Sequence, residues 1–324
     1  MPSSSHLLLT GGAGYIGSIC AHLLSKQGYK ITVLDNLSGG AKSPAAGDFI
    51  RGDVRDGDLL DEIFHSHNFD AVLHFAGKIQ VGESVHSPLP YYDNNVVGTI
   101  QLIKKMNAHQ VRNLVFSSTA AVYGAPQYLP IDESHPIAPL SPYGATKAAA
   151  ERIIQDCSEA YGINSIILRY FNAAGAIPSE GLGESHVPET HFIPLLVMSY
   201  LKATTPFRVY GNNYDTPDGS CIRDYIHVCD LADAHIKALN VLKNGRTGVH
   251  TYNLGSGHGY SVFEVISHLE DLVGQTIPFV IAPPRKGDPP VLVTDSHKAK
   301  TELNWTPQKD LDCILSDALK YIQD

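Results

Sequence analysis

The chain has 324 residues and a mass of 35.1 kDa, long enough for one large or two unequal domains with a sizeable core. Hydrophobic residues at 43% and charged residues at 18% are ordinary for a globular enzyme, and a formal net charge of -9 without any basic run argues against a nucleic-acid partner. The apolar stretch near the start is three leucines, far short of a signal-peptide core or the roughly 20 residues that span a bilayer, so a cytoplasmic protein with no membrane contact is expected.

His6-Leu7-Leu8-Leu9-Thr10 reads as a buried strand. It runs straight into Gly11-Gly12-Ala13-Gly14-Tyr15-Ile16-Gly17 and an apolar helical stretch through Leu24. A strand, a glycine turn and a helix in this order let the backbone approach a pyrophosphate, and the helix start turns N–H groups and a partial positive charge toward it. The glycines fit both GxxGxxG, from Gly11, and GxGxxG, from Gly12. A second strand, Lys30 to Leu34, ends in Asp35, whose carboxylate suits the adenosine ribose hydroxyls and would repel the additional phosphate of NADP. No arginine follows in Asn36-Leu37-Ser38, so NAD is the expected dinucleotide. Asp53 follows a third short strand, where it can meet the adenine or cap a helix.

Ala71 to Phe75, Asn113 to Ser118 and Ser165 to Tyr170 read as later strands. The helices between them are placed at Asp56 to Ser66, at about Tyr91 to Ala108, and from the Ser141-Pro142 entry onward. This alternation predicts an α/β fold, a doubly wound parallel sheet of the Rossmann type, over residues 1–175. After Ala176 the rhythm breaks at Pro178, Gly181, Gly183, Pro188 and Pro194, which predicts a smaller α/β substrate domain over 176–324. Its helices are placed at Phe192 to Leu201, Asp230 to Leu242, Val262 to Leu272 and Leu311 to Tyr321, with a Ser261/Glu264 capping box ahead of the third. Segments near 223–250 are candidates to pack back on the first domain, and Ile226-His227-Val228 is a candidate to return to the main sheet.

Tyr143-Gly-Ala-Thr-Lys147 places a phenol and an ammonium on one face of a helix. A tyrosine with an ordinary pKa of about 10 needs about 4 kcal/mol of preferential phenolate stabilisation to reach roughly 7, which a cation at ~4 Å and an effective dielectric of ~20 can supply. One lysine, Lys147, is therefore almost enough to make Tyr143 a base. Phe116-Ser117-Ser118-Thr119 ends a strand at the carboxyl edge of the sheet, where a hydroxyl can reach the Tyr143 ring.

Cys20, Cys157, Cys221, Cys229 and Cys313 are scattered without a CxxC pair and are expected to be reduced, mostly buried thiols. Among 16 histidines none forms HExxH. His65-x-His67, and His186 with His191, lack accompanying ligands at useful spacing, so no metal is expected.

With the glycine turn, Thr119, Tyr143 and Lys147 in this order, the sequence resembles the extended short-chain dehydrogenase/reductase family, and within it the UDP-glucose 4-epimerase branch. The resemblance covers nearly the whole chain. It includes Leu34-Asp35-Asn36-Leu37, His74-Phe75-Ala76-Gly77, Val81-Gly82-Glu83-Ser84, Tyr91-Tyr92-Asp93-Asn94-Asn95, Arg169-Tyr170-Phe171-Asn172, Arg223-Asp224-Tyr225-Ile226-His227 and Asn253-Leu254-Gly255.

It implies a reversible inversion at C4 of UDP-galactose and UDP-glucose through a 4-keto sugar, with NAD tightly bound and restored in each turnover. Tyr143 would take the O4 proton, Thr119 would share that hydrogen bond, and Lys147 would stabilise the phenolate, aided by the cationic nicotinamide. The cofactor would lie against Gly11, Gly14, Tyr15, Ile16, Gly17, Asp35, Asn36, Asp53, Val54, Phe75, Ala76, Gly77, Asn94, Tyr143, Lys147 and Tyr170. The substrate would be held by Thr119, Asn172, Arg223, Tyr225, Arg285 and Asp288, the arginines suiting diphosphate oxygens, with Leu292 at the position that gates N-acetylated sugars. The family's usual homodimer, formed through two helices of the cofactor domain, is implied as well.

Three positions depart from the family pattern: threonine at 119 where serine is common, Lys78 one residue ahead of the usual lysine, and leucine at 292, which leaves the N-acetylhexosamine pair open. Ala120-Ala121 after Thr119 lacks the acid pair of the nucleotide-sugar 4,6-dehydratases. A UDP-pentose 4-epimerase, a UDP-glucuronate decarboxylase and a non-catalytic NAD sensor stay as alternatives.

Overall fold

The computed structural model describes residues 5–39, 44–202, 206–285 and 288–323. The chain divides into two compact units. The first comprises Met1–Gly124, Ile137–Arg169 and Ala232–Tyr252, and the second Ala125–Pro136, Tyr170–Leu231 and Asn253–Asp324.

A seven-stranded sheet organises the first unit. Its strands are β1 (His6–Thr10), β2 (Lys30–Asp35), β3 (Asp48–Arg51), β4 (Ala71–His74), β5 (Asn113–Thr119), β6 (Asn164–Tyr170) and a last strand, Val249–Leu254. The spatial order is β3-β2-β1-β4-β5-β6 followed by Val249–Leu254. β1 lies between β2 and β4, with Leu9 opposite both Val33 and Leu73 in parallel register. The chain winds from β1 toward β3 on one side and from β4 outward on the other, so the order reverses between β1 and β4. In doubly wound sheets ligands bind at the carboxyl ends of strands beside such a reversal.

Local sequence explains the elements. All five residues of β1 are buried, as expected of a parallel strand covered on both faces. Helix Gly57–Ser66 is started by Asp56, whose side chain accepts from the amides of Asp58 and Leu59, so Asp53 is not the cap. The stretch read as one helix from Tyr91 is wound as a π segment over Tyr92–Val97 before the regular Gly98–Ala108 helix. Helix Pro142–Tyr161 begins on Ser141, whose hydroxyl accepts from the Gly144 amide, and stops at Gly162, which takes a left-handed φ of 68°. Leu8, Leu34, Phe64, Val72, Leu102, Phe116 and Ile154 are among the residues of the core beneath this sheet and its helices.

In the second unit Ile222–His227 pairs in parallel with Asn172–Ala174 and Val291–Leu292, and antiparallel with Gly259–Ser261. This corrects the expectation for Ile226-His227-Val228: Ile226 and His227 belong to this smaller sheet, and Val249–Leu254 is the late strand that joins the main one. Helices Phe192–Lys202, Val262–Val273 and Leu311–Gln323 contribute Leu196, Val265, Leu269 and Leu315 to a second core. The Ser261/Glu264 capping box forms. None of the five cysteines, all among the described residues, is in a disulfide. Only Cys20 and Cys221 are buried while Cys313 is exposed, which corrects the expectation of mostly buried thiols.

Candidate active site

The glycine turn joins β1 to the helix Tyr15–Lys26. Gly11 has a φ of +71°, and a Cβ there would stand 2.4 Å from the Ala76 nitrogen; a Cβ at Gly17 would stand 2.3 Å from the Gly11 oxygen. These close approaches pack the turn against the chain after β4 and against its own helix. At Gly14, by contrast, the nearest atom to an added Cβ is 3.4 Å away, so backbone alone faces outward at the helix start. Gly14 caps that helix without any side-chain hydrogen bond, and Tyr15, Ile16 and Gly17 form its first turn, where amides have no carbonyl within the helix. Donor chemistry and space both fit a pyrophosphate.

Asp35 holds the turn in place, accepting from the Ala13 amide at 3.0 Å and from the Leu37 amide at 2.8 Å. Asn36 donates to Asp53 at 2.9 Å, and Arg55 grips both Asp53 oxygens at 2.7–2.8 Å while also meeting Asp93. The Arg55 guanidinium beside it holds the Asp53 carboxyl well below the usual carboxylate range. Val54 is buried and packs on Gly98.

After β4, Phe75 and Ala76 both donate their amides to the Thr10 carbonyl. A Cβ on Gly77 would lie 3.2 Å from Lys147 Nζ and 3.4 Å from Asn95 Oδ1, which places this glycine against the lysine. Asn94 is partly exposed and donates to Asn95. Asn95 is the buried member of the pair: it accepts from the Lys78 amide and donates to the Lys78 carbonyl and to Thr146. Sequence reasoning picked Asn94 from the Asn94-Asn95 doublet, and only packing distinguishes the two. Lys78 turns its ammonium to Glu83, 3.6 Å away.

Tyr143, Lys147 and Thr119 come together where β5 ends. Thr119 Oγ1 accepts from the Ala121 amide at 3.1 Å and hydrogen-bonds the Tyr143 phenol. The Tyr143 amide donates to Ser84, a buried residue that the sequence offered within the Val81-Gly82-Glu83-Ser84 motif but without a site role. Lys147 Nζ donates to the Ser117 carbonyl at 2.9 Å and lies 4.9 Å from the centre of the Phe116 ring. Beneath it Glu151 forms a bidentate, buried pair with Arg169, and Ser118 donates to the same carboxylate. Tyr170 closes β6.

In the chain alone, the electrostatics oppose ionisation of the Tyr143 phenol. Burial pushes the Tyr143 phenol up to about 12, against the lowering effect of the Thr119 hydrogen bond, and burial brings Lys147 down to about 8 although Glu151 favours its charged form. Spacing on the helix implied that Lys147 would make Tyr143 a base, but both groups are desolvated and the ammonium is committed to Ser117. The chain alone therefore holds the phenol protonated at neutral pH.

In the second unit, Asn172 and Tyr225 are register partners on adjacent strands, as are Arg223 and Leu292. Asn172 is exposed and Tyr225 is buried. Arg223 pairs with Asp288 at 2.6 Å and donates to the Ile222 carbonyl, so these two expected ligand residues also hold one another. Arg285 stacks 4.1 Å over the Tyr210 ring with its side chain exposed.

Comparison with known proteins identifies the family. A curated UDP-glucose 4-epimerase of Halalkalibacterium halodurans is 51% identical over 93% of this chain and 90% of its own length. The crystal structure of UDP-glucose 4-epimerase from Brucella ovis in complex with NAD superposes with a TM-score of 0.94 at 44% identity, covering 98% of both chains. That of the Bifidobacterium longum enzyme in complex with NAD+ and UDP gives 0.93 at 39%, again over 98% of both. Residues 7–255 match the pattern of one family, and the chain is a member of it: the NAD dependent epimerase/dehydratase family.

Proposed function

We propose that the protein interconverts UDP-galactose and UDP-glucose by inverting C4 through a 4-keto sugar, as an NAD-dependent isomerase. The observation that carries this is the cluster of buried Tyr143 and Lys147 with partly buried Thr119 at the end of β5, in a unit whose β1 turn fits a pyrophosphate. The relatives at 39–51% identity, which are themselves UDP-glucose 4-epimerases, support the same reaction.

NAD, when bound, supplies a hydride acceptor and a positive charge. Gly11, Gly14, Tyr15, Ile16, Gly17, Asp35, Asn36, Asp53, Val54, Phe75, Ala76, Gly77, Asn94 and Tyr170 would hold it, together with Tyr143 and Lys147. Tyr143 serves as the proton acceptor for the O4 hydroxyl. Thr119 can donate to the phenolate because its oxygen, not its proton, is used by the Ala121 amide. Taking the phenol from about 12 to the neutral range requires about 7 kcal/mol of phenolate stabilisation. Lys147 and the cofactor's charge together are the groups able to provide it.

The nucleotide part of the substrate is assigned to Asn172, Arg223, Tyr225, Arg285 and Asp288. Arg223 supports this role because Asp288 and two main-chain carbonyls fix its guanidinium in one orientation. Leu292 is the assigned gate for the sugar's C2 substituent. Cofactor binding is thereby assigned mainly to residues 1–175 and nucleotide binding mainly to residues 176–324, with Thr119, Tyr143 and Asn172 meeting the substrate from the first part. Thr119-Ala120-Ala121 has no acid after the threonine, which disfavours dehydration.

We also assign the working form as a cytoplasmic homodimer. No helix among the described residues is long and apolar enough to cross a membrane. Val85, Leu89 and Val97 are exposed on neighbouring helical segments and supply an apolar face for a second copy.

The test is product analysis. Purified protein incubated with UDP-galactose and no added NAD should yield UDP-glucose, resolved by anion-exchange chromatography. Conversion of UDP-pentose alone, or release of CO2 from UDP-glucuronate, would replace the assignment, and no turnover of any nucleotide sugar would point to an NAD sensor.

A further inference from the structure

Glu184, His186, Glu189 and His191 converge in the loop that leads into helix Phe192–Lys202 of the second unit. The sequence offered the two histidines, and folding brings the two carboxylates beside them. His191 Nδ1 lies 2.6 Å from Glu184 Oε1 and 3.1 Å from Glu189 Oε1. His186 Nδ1 lies 3.1 Å from Glu184 Oε1 and 4.0 Å from Glu189 Oε2. One donor atom from each residue falls within a common span of 4.8 Å. A tetrahedral ion with bonds of about 2.0–2.2 Å separates its ligand atoms by about 3.3–3.6 Å, within the spread of these distances.

A second observation points to a cation. Glu184 is only 6% exposed, and its Oε2 has no hydrogen-bond partner. Glu189 Oε2 is likewise buried and unpartnered, while its Oε1 is fixed by the amides of Thr190 and His191 at 2.7 and 2.8 Å. Buried carboxylate oxygens are costly to leave unpaired. A proton is the competing occupant: although burial opposes it, the two glutamates favour a charged His191, moving that imidazole up to about 10. The imidazolium answers the Oε1 atoms and leaves both Oε2 atoms unmatched.

We propose that Glu184, His186, Glu189 and His191 form a binding site for a divalent transition metal of the zinc class, pinning the loop ahead of helix Phe192–Lys202. Two imidazole nitrogens and two carboxylate oxygens suit Zn2+ better than the oxygen-only preference of Mg2+ or Ca2+.

The test uses the full chain, stripped with chelator and dialysed. Equilibrium dialysis against micromolar Zn2+ should give about one ion per chain and a raised unfolding temperature, with no shift from Mg2+. Glu184→Gln and His186→Ala should each weaken binding by at least about tenfold and abolish the thermal shift. Co2+ should give tetrahedral d–d bands without a thiolate charge-transfer band, which separates this site from the chain's thiols. No bound Zn2+ in the wild type, equal binding by both variants, or a thiolate band would each overturn the proposal. If one variant fails to fold, the other and the Co2+ spectrum still decide.

Discussion

Lys147 donates its ammonium to the main-chain carbonyl of Ser117 at 2.9 Å, tying the Pro142–Tyr161 helix to the carboxyl end of β5. The bond fixes the height of the lysine beside Gly77, where any larger residue would meet its Nζ. Replacing Lys147 with methionine leaves the Ser117 carbonyl unpaired and removes the charge. We expect turnover to fall by at least about 10²-fold and NAD to be lost on gel filtration, with the far-UV spectrum unchanged. Retained cofactor together with normal turnover would show that the ammonium is only structural.

Tyr143→Phe removes the one group placed to accept the O4 proton. Loss of about 10²–10⁴-fold in kcat is expected, with bound NAD near stoichiometric by absorbance of the denatured protein. Thr119→Val should cost less, since it removes a donor to the phenolate but not the base. A Tyr143→Phe enzyme with near-normal kcat would contradict the assignment.

Gly17→Ala should disrupt the cofactor turn although alanine favours helices. Its Cβ would stand 2.3 Å from the Gly11 oxygen and 2.9 Å from the Gly12 Cα, both backbone atoms with little room to move. We expect a stability loss of about 1–3 kcal/mol by urea titration and purification without NAD. Alanine at Gly28, where nothing lies within 4 Å, should affect NAD content far less despite its φ of +86°.

Leu292 pairs in register with Arg223, so a bulkier side chain there acts next to an assigned substrate ligand. Leu292→Tyr should abolish any activity on UDP-N-acetylgalactosamine before activity on UDP-galactose. Measured kcat/KM values for the two sugars give the ratio. An unchanged ratio would move the gate elsewhere.

His74 makes stability depend on pH. It sits between Thr10 and Thr99, and burial, with the charge of Lys147 second, brings it down to about 3. Its folded value lies below the unfolded value of about 6.5, so the unfolded chain binds the extra proton between these limits. The histidine's contribution is thus complete above pH 6.5 and is lost as pH falls toward 3, at about 1.4 kcal/mol per unit. His74→Gln keeps both hydroxyl neighbours and should flatten the fall in stability between pH 6 and 4.5. An identical slope in urea titrations would remove His74 as its source.

Local spacing in the sequence determined β1, the glycine turn, Asp35 at the end of β2, the Ser141-Pro142 helix start and the Ser261/Glu264 capping box, because each depends on residues within a few positions of one another. The placement of Thr119 and Tyr143 at one strand end was also legible, since strand and helix ends in alternating β and α units fall on the same sheet edge. Tertiary structure decided what depends on distant partners and on water. It buried Asn95 rather than Asn94, supplied Ser84 and the Ser117 carbonyl to Tyr143 and Lys147, joined Arg223 to Asp288, and set Glu184 and Glu189 beside two histidines. In the chain without cofactor it also set burial against ionisation of the Tyr143 phenol. A four-residue spacing encodes proximity, whereas a pKa depends on how much solvent the surrounding fold removes and on which acceptor takes the neighbouring charge.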